Sequence, residues 1–90
     1  MKSDHKALEQ IVKGFANHRR IQILMLLESK SGMTLFDIAK KLRIDFRTAS
    51  EHTKKLVVAG LISKKYRGRI VQHSITKRGK QVLIFCRMLE

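Results

Sequence analysis

Thr34-Leu35-Phe36-Asp37-Ile38-Ala39-Lys40-Lys41-Leu42-Arg43-Ile44-Asp45-Phe46-Arg47-Thr48-Ala49-Ser50-Glu51-His52-Thr53-Lys54-Lys55-Leu56-Val57-Val58-Ala59-Gly60 reads as two helices joined by a short turn. Thr34 followed three residues later by Asp37 is a variant capping box, with Asp in place of Glu or Gln. Ile38, Ala39 and Leu42 make the inner side of the first helix of this pair. Arg43-Ile44-Asp45 is the turn. The next helix runs from Phe46 to about Ala59, turns Ala49, Thr53, Leu56 and Val57 inward, and stops at Gly60, a residue suited to the left-handed conformation after a helix end. Two short helices at this spacing are a helix-turn-helix.

Working outward, the period changes after Gly60. Leu61–Tyr66 and Ile70–Ile75 alternate as strands do, with Arg67-Gly68 as a tight turn between them. Thr76 caps a last helix, Lys77 to about Leu89, in which Gly79 slightly weakens the first turn. Upstream, Ser3-Asp4 offers N-cap residues to a helix with Leu8, Ile11, Val12 and Phe15 at helical spacing. Asn17 caps a second helix that extends to about Glu28. Ile21, Ile23, Leu24, Met25 and Leu27 make it apolar around most of its girth, so it should lie at the centre. The order is α-α-α-α-β-β-α. The expected fold is mainly α with a small β-hairpin: a winged helix-turn-helix filling residues 1–90 as a single domain.

Charge points to a partner. The chain carries 20 Lys and Arg against 7 Asp and Glu, a net charge of +13. Residues 40–80 hold 13 of those cations and only two acids, Asp45 and Glu51. A polyanion suits such a surface, because each neutralised phosphate releases a counterion; the plainer alternative is a solvated basic face that keeps the protein dissolved. The outer face of the helix after the turn carries Arg47, Ser50, Glu51 and Lys54, with Thr48, His52 and Lys55 on its flank. Arg47 can donate bidentately to guanine, while Lys54 and Lys55, later in the helix, suit phosphates. Glu51 either accepts from a cytosine amino group or pairs with Lys54 or Lys55. Lys64, Lys65, Arg67 and Arg69 crowd the hairpin, as a wing reaching a DNA backbone or minor groove would require, or as a charged edge that discourages strand pairing. Thr34 and Phe46, at the starts of the two helices, complete the face expected to meet duplex DNA.

Phe15-Ala16-Asn17-His18-Arg19-Arg20-Ile21-Gln22-Ile23-Leu24, Leu35–Leu42 and Thr48–Ile62 resemble ArsR-type (arsenical-resistance repressor) winged-helix regulators, nearly ungapped from Leu8 to Ile75. Ile75-Thr76-Lys77-Arg78-Gly79 is similar to a segment of several related winged-helix groups. The resemblance implies DNA-binding roles for Arg47, Ser50 and Lys54, a backbone contact near Arg20, and dimerisation through the first and last helices. Three positions depart from the family pattern. His18 stands where the family has Pro, His52-Thr53 where it has His-Leu, and Phe36-Asp37-Ile38 where some members carry a metal-sensing cysteine motif. A metal-sensing role is therefore not carried over.

Other chemistry finds little support. The four His residues include no pair at i,i+4 spacing, and Cys86 is the single cysteine, so no metal or cofactor is expected. His73 is expected to be half-buried, and His52 to pack on the preceding helix or a phosphate. No phosphate loop or nucleophile motif suggests an enzyme. No apolar run approaches a membrane span and the N-terminus does not read as a signal peptide, so the cytoplasm is the default. A chain of 90 residues should not bury both the stripe Leu8, Ile11, Val12 and Phe15 and the stripe Val82, Phe85, Cys86 and Leu89. Pairing the two around a two-fold axis makes a homodimer; packing both on the second helix makes a monomer. A small-molecule effector, if there is one, would have to sit at the dimer interface. Two alternatives remain beside a DNA-binding transcriptional regulator: an RNA-binding or ribosome-associated winged helix, and a protein–protein interaction module.

Overall fold

The computed structural model describes residues 4–90. Ser3, offered above as a cap, lies outside them. The elements are α1 (His5–Phe15), α2 (His18–Ser29), α3 (Leu35–Leu42), α4 (Phe46–Val58), β1 (Ile62–Arg67), β2 (Ile70–Ile75) and α5 (Lys77–Met88), in the expected order. The helix starts follow from side-chain acceptors that satisfy otherwise unpaired N–H groups. Asp4 accepts from Lys6 and Ala7, Asn17 from Arg19 and Arg20, Asp45 from Arg47 and Thr48, and Thr76 from Gly79. The Thr34–Asp37 capping box is complete in both directions. Arg43 takes the left-handed conformation, φ 55°, as α3 ends, and Gly60 does so at φ 77° just past α4.

α2 is central, as its composition requires. Ile23, Leu24 and Leu27 are buried and meet Ile38 of α3, Leu56 of α4, Leu61, Ile62 and Leu83 of α5 in one core. The wing is an antiparallel pair in register Ile62↔Ile75 through Arg67↔Ile70. This places the two-residue turn at Gly68-Arg69, one position later than Arg67-Gly68, and β1 one residue later than expected, because Arg67 still pairs with Ile70. A further bridge joins Met33, just before α3, to His73 of β2. The wing is thus tied to the base of the helix-turn-helix as well as to its own hairpin. Arg87 of α5 donates from Nη1 to Glu28 Oε2 of α2 at 3.1 Å, a tie with no local signal in the sequence.

Gly79 is a requirement of packing, not a mild weakness. A Cβ there would press into the backbone carbonyl of Leu61 and the side chain of Ile75. That carbonyl already accepts from the Thr76 N–H at 3.0 Å and cannot yield freely. Gly79→Ala should therefore destabilise the fold by about 1–3 kcal/mol despite alanine's better helix propensity. Urea titration checks this, and an unchanged or raised midpoint would contradict it.

Candidate nucleic-acid interface

α4 presents Arg47, Glu51, Lys54 and Lys55 to solvent, with Thr48 and Ser50 partly covered. Of the two acids in the basic stretch, Asp45 is committed to capping: its Oδ2 accepts from the Arg47 N–H at 2.9 Å and the Thr48 N–H at 3.4 Å. Asp37 is committed likewise, and the hydrogen bonds from Thr34 hold its carboxyl below the usual aspartate range. The Thr34 hydroxyl accepts from Asp37 N–H at 3.1 Å, so Thr34 fixes the start of α3 first of all. Among the described residues the only ion pairs are Glu9–Lys13 and Glu28–Arg87. Glu51 pairs with neither Lys54 nor Lys55, and every cation on α4 and the wing is free of an acidic partner.

The wing cations are not one cluster. Residues opposite one another in the ladder share a face. Lys64 and Tyr66 lie with His73 and Val71 on the face toward α3 and α4, whereas Lys65 and Arg67 lie with Gln72 and Ile70 on the other. Arg69 sits in the turn. Lys64 and Arg69 share a groove with Thr34 and Phe46, which brings the wing against the starts of both helices of the helix-turn-helix.

Arg20 has partners within the chain. Its Nε donates to His52 Nδ1 at 3.1 Å, and its Nη1 donates to the carbonyls of Lys13 at 3.0 Å and Gly14 at 3.4 Å. The guanidinium closes the end of α1 and fastens it to α4, a bracing role beside the DNA-backbone contact that the resemblance implies near Arg20. His52 accordingly packs on Arg20 of α2. His73 is corrected: it is 1% exposed, not half-buried, with Nδ1 2.9 Å from the Met33 carbonyl. Neither the Arg20–His52 nor the His73–Met33 contact is visible locally, since each spans more than thirty residues of chain. The Thr53 hydroxyl is buried without a partner.

Burial lowers the pKa of both His52 and His73 below 6.5, and nearby cations add to the effect, Arg20 for His52 and Lys64 for His73. Folding therefore favours the neutral rings. Their contribution is complete above pH 6.5, the unfolded value, and declines as pH falls toward the folded values, because the unfolded chain takes up protons first. The melting temperature should begin to drop as pH falls through 6.5, above the range in which carboxylates titrate. A flat profile there would refute the burial of both rings.

The dimer stripes divide. Phe15 and Val82 are buried within the single chain, and Ile11 and Cys86 pack partly on its core, so these four support the surface from beneath. Leu8 and Val12 of α1, with Phe85 and Leu89 at the end of the chain, remain exposed. Ile84 and Met88 are exposed too, and the sequence reading omitted them, although apolar residues on the outer side of α5 were the available signal. A depression of about 420 Å³ runs between the two stripes. A separate one of about 470 Å³ lies between α1 and α4, lined by Lys13, Gly14, Val58 and Ala59 among others.

A MarR family model matches residues 16–67, from the end of α1 through the first strand of the wing. The chain belongs to the MarR family. The matched span holds the whole helix-turn-helix, and the family it shows is MarR and not the ArsR type that the sequence resembles. Among solved structures, the chain is similar to a homodimeric winged helix-turn-helix DNA-binding domain of Mycobacterium bovis, a possible ArsR-family regulator. That match has 23% identity and a TM-score of 0.85, covering 99% of this chain and 87% of that one. HlyU of Vibrio cholerae matches at 21% identity and TM-score 0.82, covering 99% and 97%. ZitR of Lactococcus lactis matches at 28% and 0.72, covering 80% of this chain and 51% of that one. The first two likenesses establish the winged-helix fold alone. No curated protein sequence matches this MarR-family chain. The family is one of winged-helix transcriptional regulators, not of enzymes. Among the described residues no helix is long and apolar enough to cross a membrane, and no group of His, Cys, Asp and Glu is arranged to hold a metal ion.

Proposed function

We propose that this chain is a cytoplasmic, homodimeric transcriptional regulator that binds specific duplex DNA sites, of the short ArsR-like plan. α4 enters the major groove, Arg47 reads a base edge near its start, and Lys54 and Lys55 hold phosphates. Arg69 and the strand cations of the wing hold the flanking backbone. One observation carries the reading: the cations of α4 and of the adjoining wing are exposed and unpaired, while the nearby acids Asp37 and Asp45 are occupied in capping. Unpaired cations crowded beside a helix that fits a major groove are matched by a duplex. The homodimeric state of the similar M. bovis domain supports a dimer, and the exposed Leu8, Val12, Phe85 and Leu89 support α1 and α5 as its surface.

The test is selection of duplexes from a random pool, followed by titration of the selected site, random duplex and structured RNA at matched salt. Arg47→Ala should weaken the selected site by about 1–3 kcal/mol and relax its sequence preference. Arg69→Ala should weaken all duplexes about equally. If both variants lose the same affinity on selected and random DNA, α4 is not the reading element. If RNA binds as tightly as the selected duplex, the alternative of an RNA-binding winged helix replaces this one.

A further inference from the structure

The DNA-facing side of the molecule carries apolar side chains that the fold does not use. Phe36, Phe46 and Tyr66 are 65%, 54% and 68% exposed, and none belongs to the core. They come from three elements, α3, the first residue of α4, and the wing, yet they line one groove of about 390 Å³ with Lys64 and Arg69. Phe36 and Phe46 also line the neighbouring depression of about 370 Å³, so the two rings stand as a ridge between hollows. Neither ring is needed to anchor its helix, because α3 is held by Ile38 and Ala39 and α4 by Ala49, Thr53 and Leu56. Apolar surface gathered from separate elements and left open to water marks a contact made outside the chain.

The occupant is set by the company these rings keep. Lys64, Arg69 and the next residue along α4, Arg47, have no acidic partner among the described residues. An apolar protein partner seated here would bury those charges unmatched. Duplex DNA offers phosphates to the cations and, in the major groove, one apolar group on a base edge, the thymine 5-methyl. The first residues of a recognition helix are the ones that reach base edges, and Phe46 is the first residue of α4.

We propose that Phe46, backed by Phe36, is a specificity-determining residue that reads a thymine 5-methyl group next to the base contacted by Arg47. This rests on the duplex-binding reading above. Removing the methyl and leaving everything else intact isolates the contact. Each thymine of the selected site is replaced in turn by deoxyuridine, which keeps charge and base pairing. The unmodified protein should lose about three- to fivefold in affinity at one or two positions, the scale of one buried methyl group. Phe46→Ala should bind the parent site more weakly and become indifferent to the same replacements, and Phe46→Leu should retain part of the discrimination. Phe46 is exposed, so these variants should melt like the parent, which circular dichroism verifies. A flat deoxyuridine series on a tightly bound site overturns this assignment alone. So does a loss of the same size in the parent and in Phe46→Ala, since another residue would then read the methyl. Failure to select any duplex overturns the duplex-binding reading and this inference with it.

Discussion

Raising the salt concentration from about 50 to about 200 mM is expected to weaken duplex binding by about a thousandfold. Seven cations, Arg47, Lys54, Lys55, Lys64, Lys65, Arg67 and Arg69, are exposed on α4 and the wing and carry no ion pair among the described residues. Those on the far face of the ribbon, Lys65 and Arg67, reach phosphate only if the backbone wraps the wing. Neutralising about six phosphates per bound unit then gives a slope of about −5 in log K against log salt. Fluorescence anisotropy of a labelled duplex across that range measures it. A slope near zero would remove the polyanion reading altogether. A slope nearer −3 would mean that one face of the wing stays in solvent.

Phe85→Glu, or Leu89→Glu, should separate the dimer and reduce affinity for a two-fold-symmetric site by at least about a hundredfold. Both residues are exposed, at 50% and 70%, and Leu8 and Val12 lie open on α1. One carboxylate placed in such a patch must lose water on pairing without gaining a partner, which disfavours the dimer far more than the monomer. Two α4 helices set roughly 34–36 Å apart would meet successive turns of one DNA face, and a separated subunit keeps only one of those contacts. The helix-turn-helix should remain folded, since α3 and α4 are held through the α2 core, and circular dichroism would verify that. Sedimentation decides the starting point: unmodified protein running as a clean 10.4 kDa species at micromolar concentration would refute the dimer.

The helix boundaries were legible because their causes are local. Asn17, Thr34 with Asp37, Asp45 and Thr76 each act on N–H groups two or three residues away; all but Asp45, read only as the end of the turn, cap as expected. The periodicities of α2, α4 and the wing are local in the same sense. What escaped was set by partners far along the chain. Arg20 counts toward a basic surface in any tally of charge, but its guanidinium also braces the carbonyls at the end of α1 to the His52 ring. A run of wing cations gives no indication of which face each occupies, because that depends on a register fixed one residue later than the alternation suggested. Gly79 looks like a poor helix residue until the Leu61 carbonyl is seen beside it. Within the candidate interface, Arg47 and Lys54 were readable from helix position, whereas the ridge of Phe36 and Phe46 exists only once the turn brings two helix starts together.

Gly14 of α1 rests against Ala59 at the end of α4 so closely that a single added carbon would collide with the alanine methyl. In mechanical terms this joint has no slack. Most helix pairs meet through a layer of side chains whose rotamers can absorb a small displacement, and here that layer is missing. α1 carries Leu8 and Val12 on its open side and this backbone contact near its end, so a load applied to the open side passes to α4 across this contact and the Arg20 brace. A close-packed contact compresses little. If α4 meets DNA and α1 a second subunit, as proposed, this joint makes a displacement of α1 near its end a displacement of the tail of α4 as well.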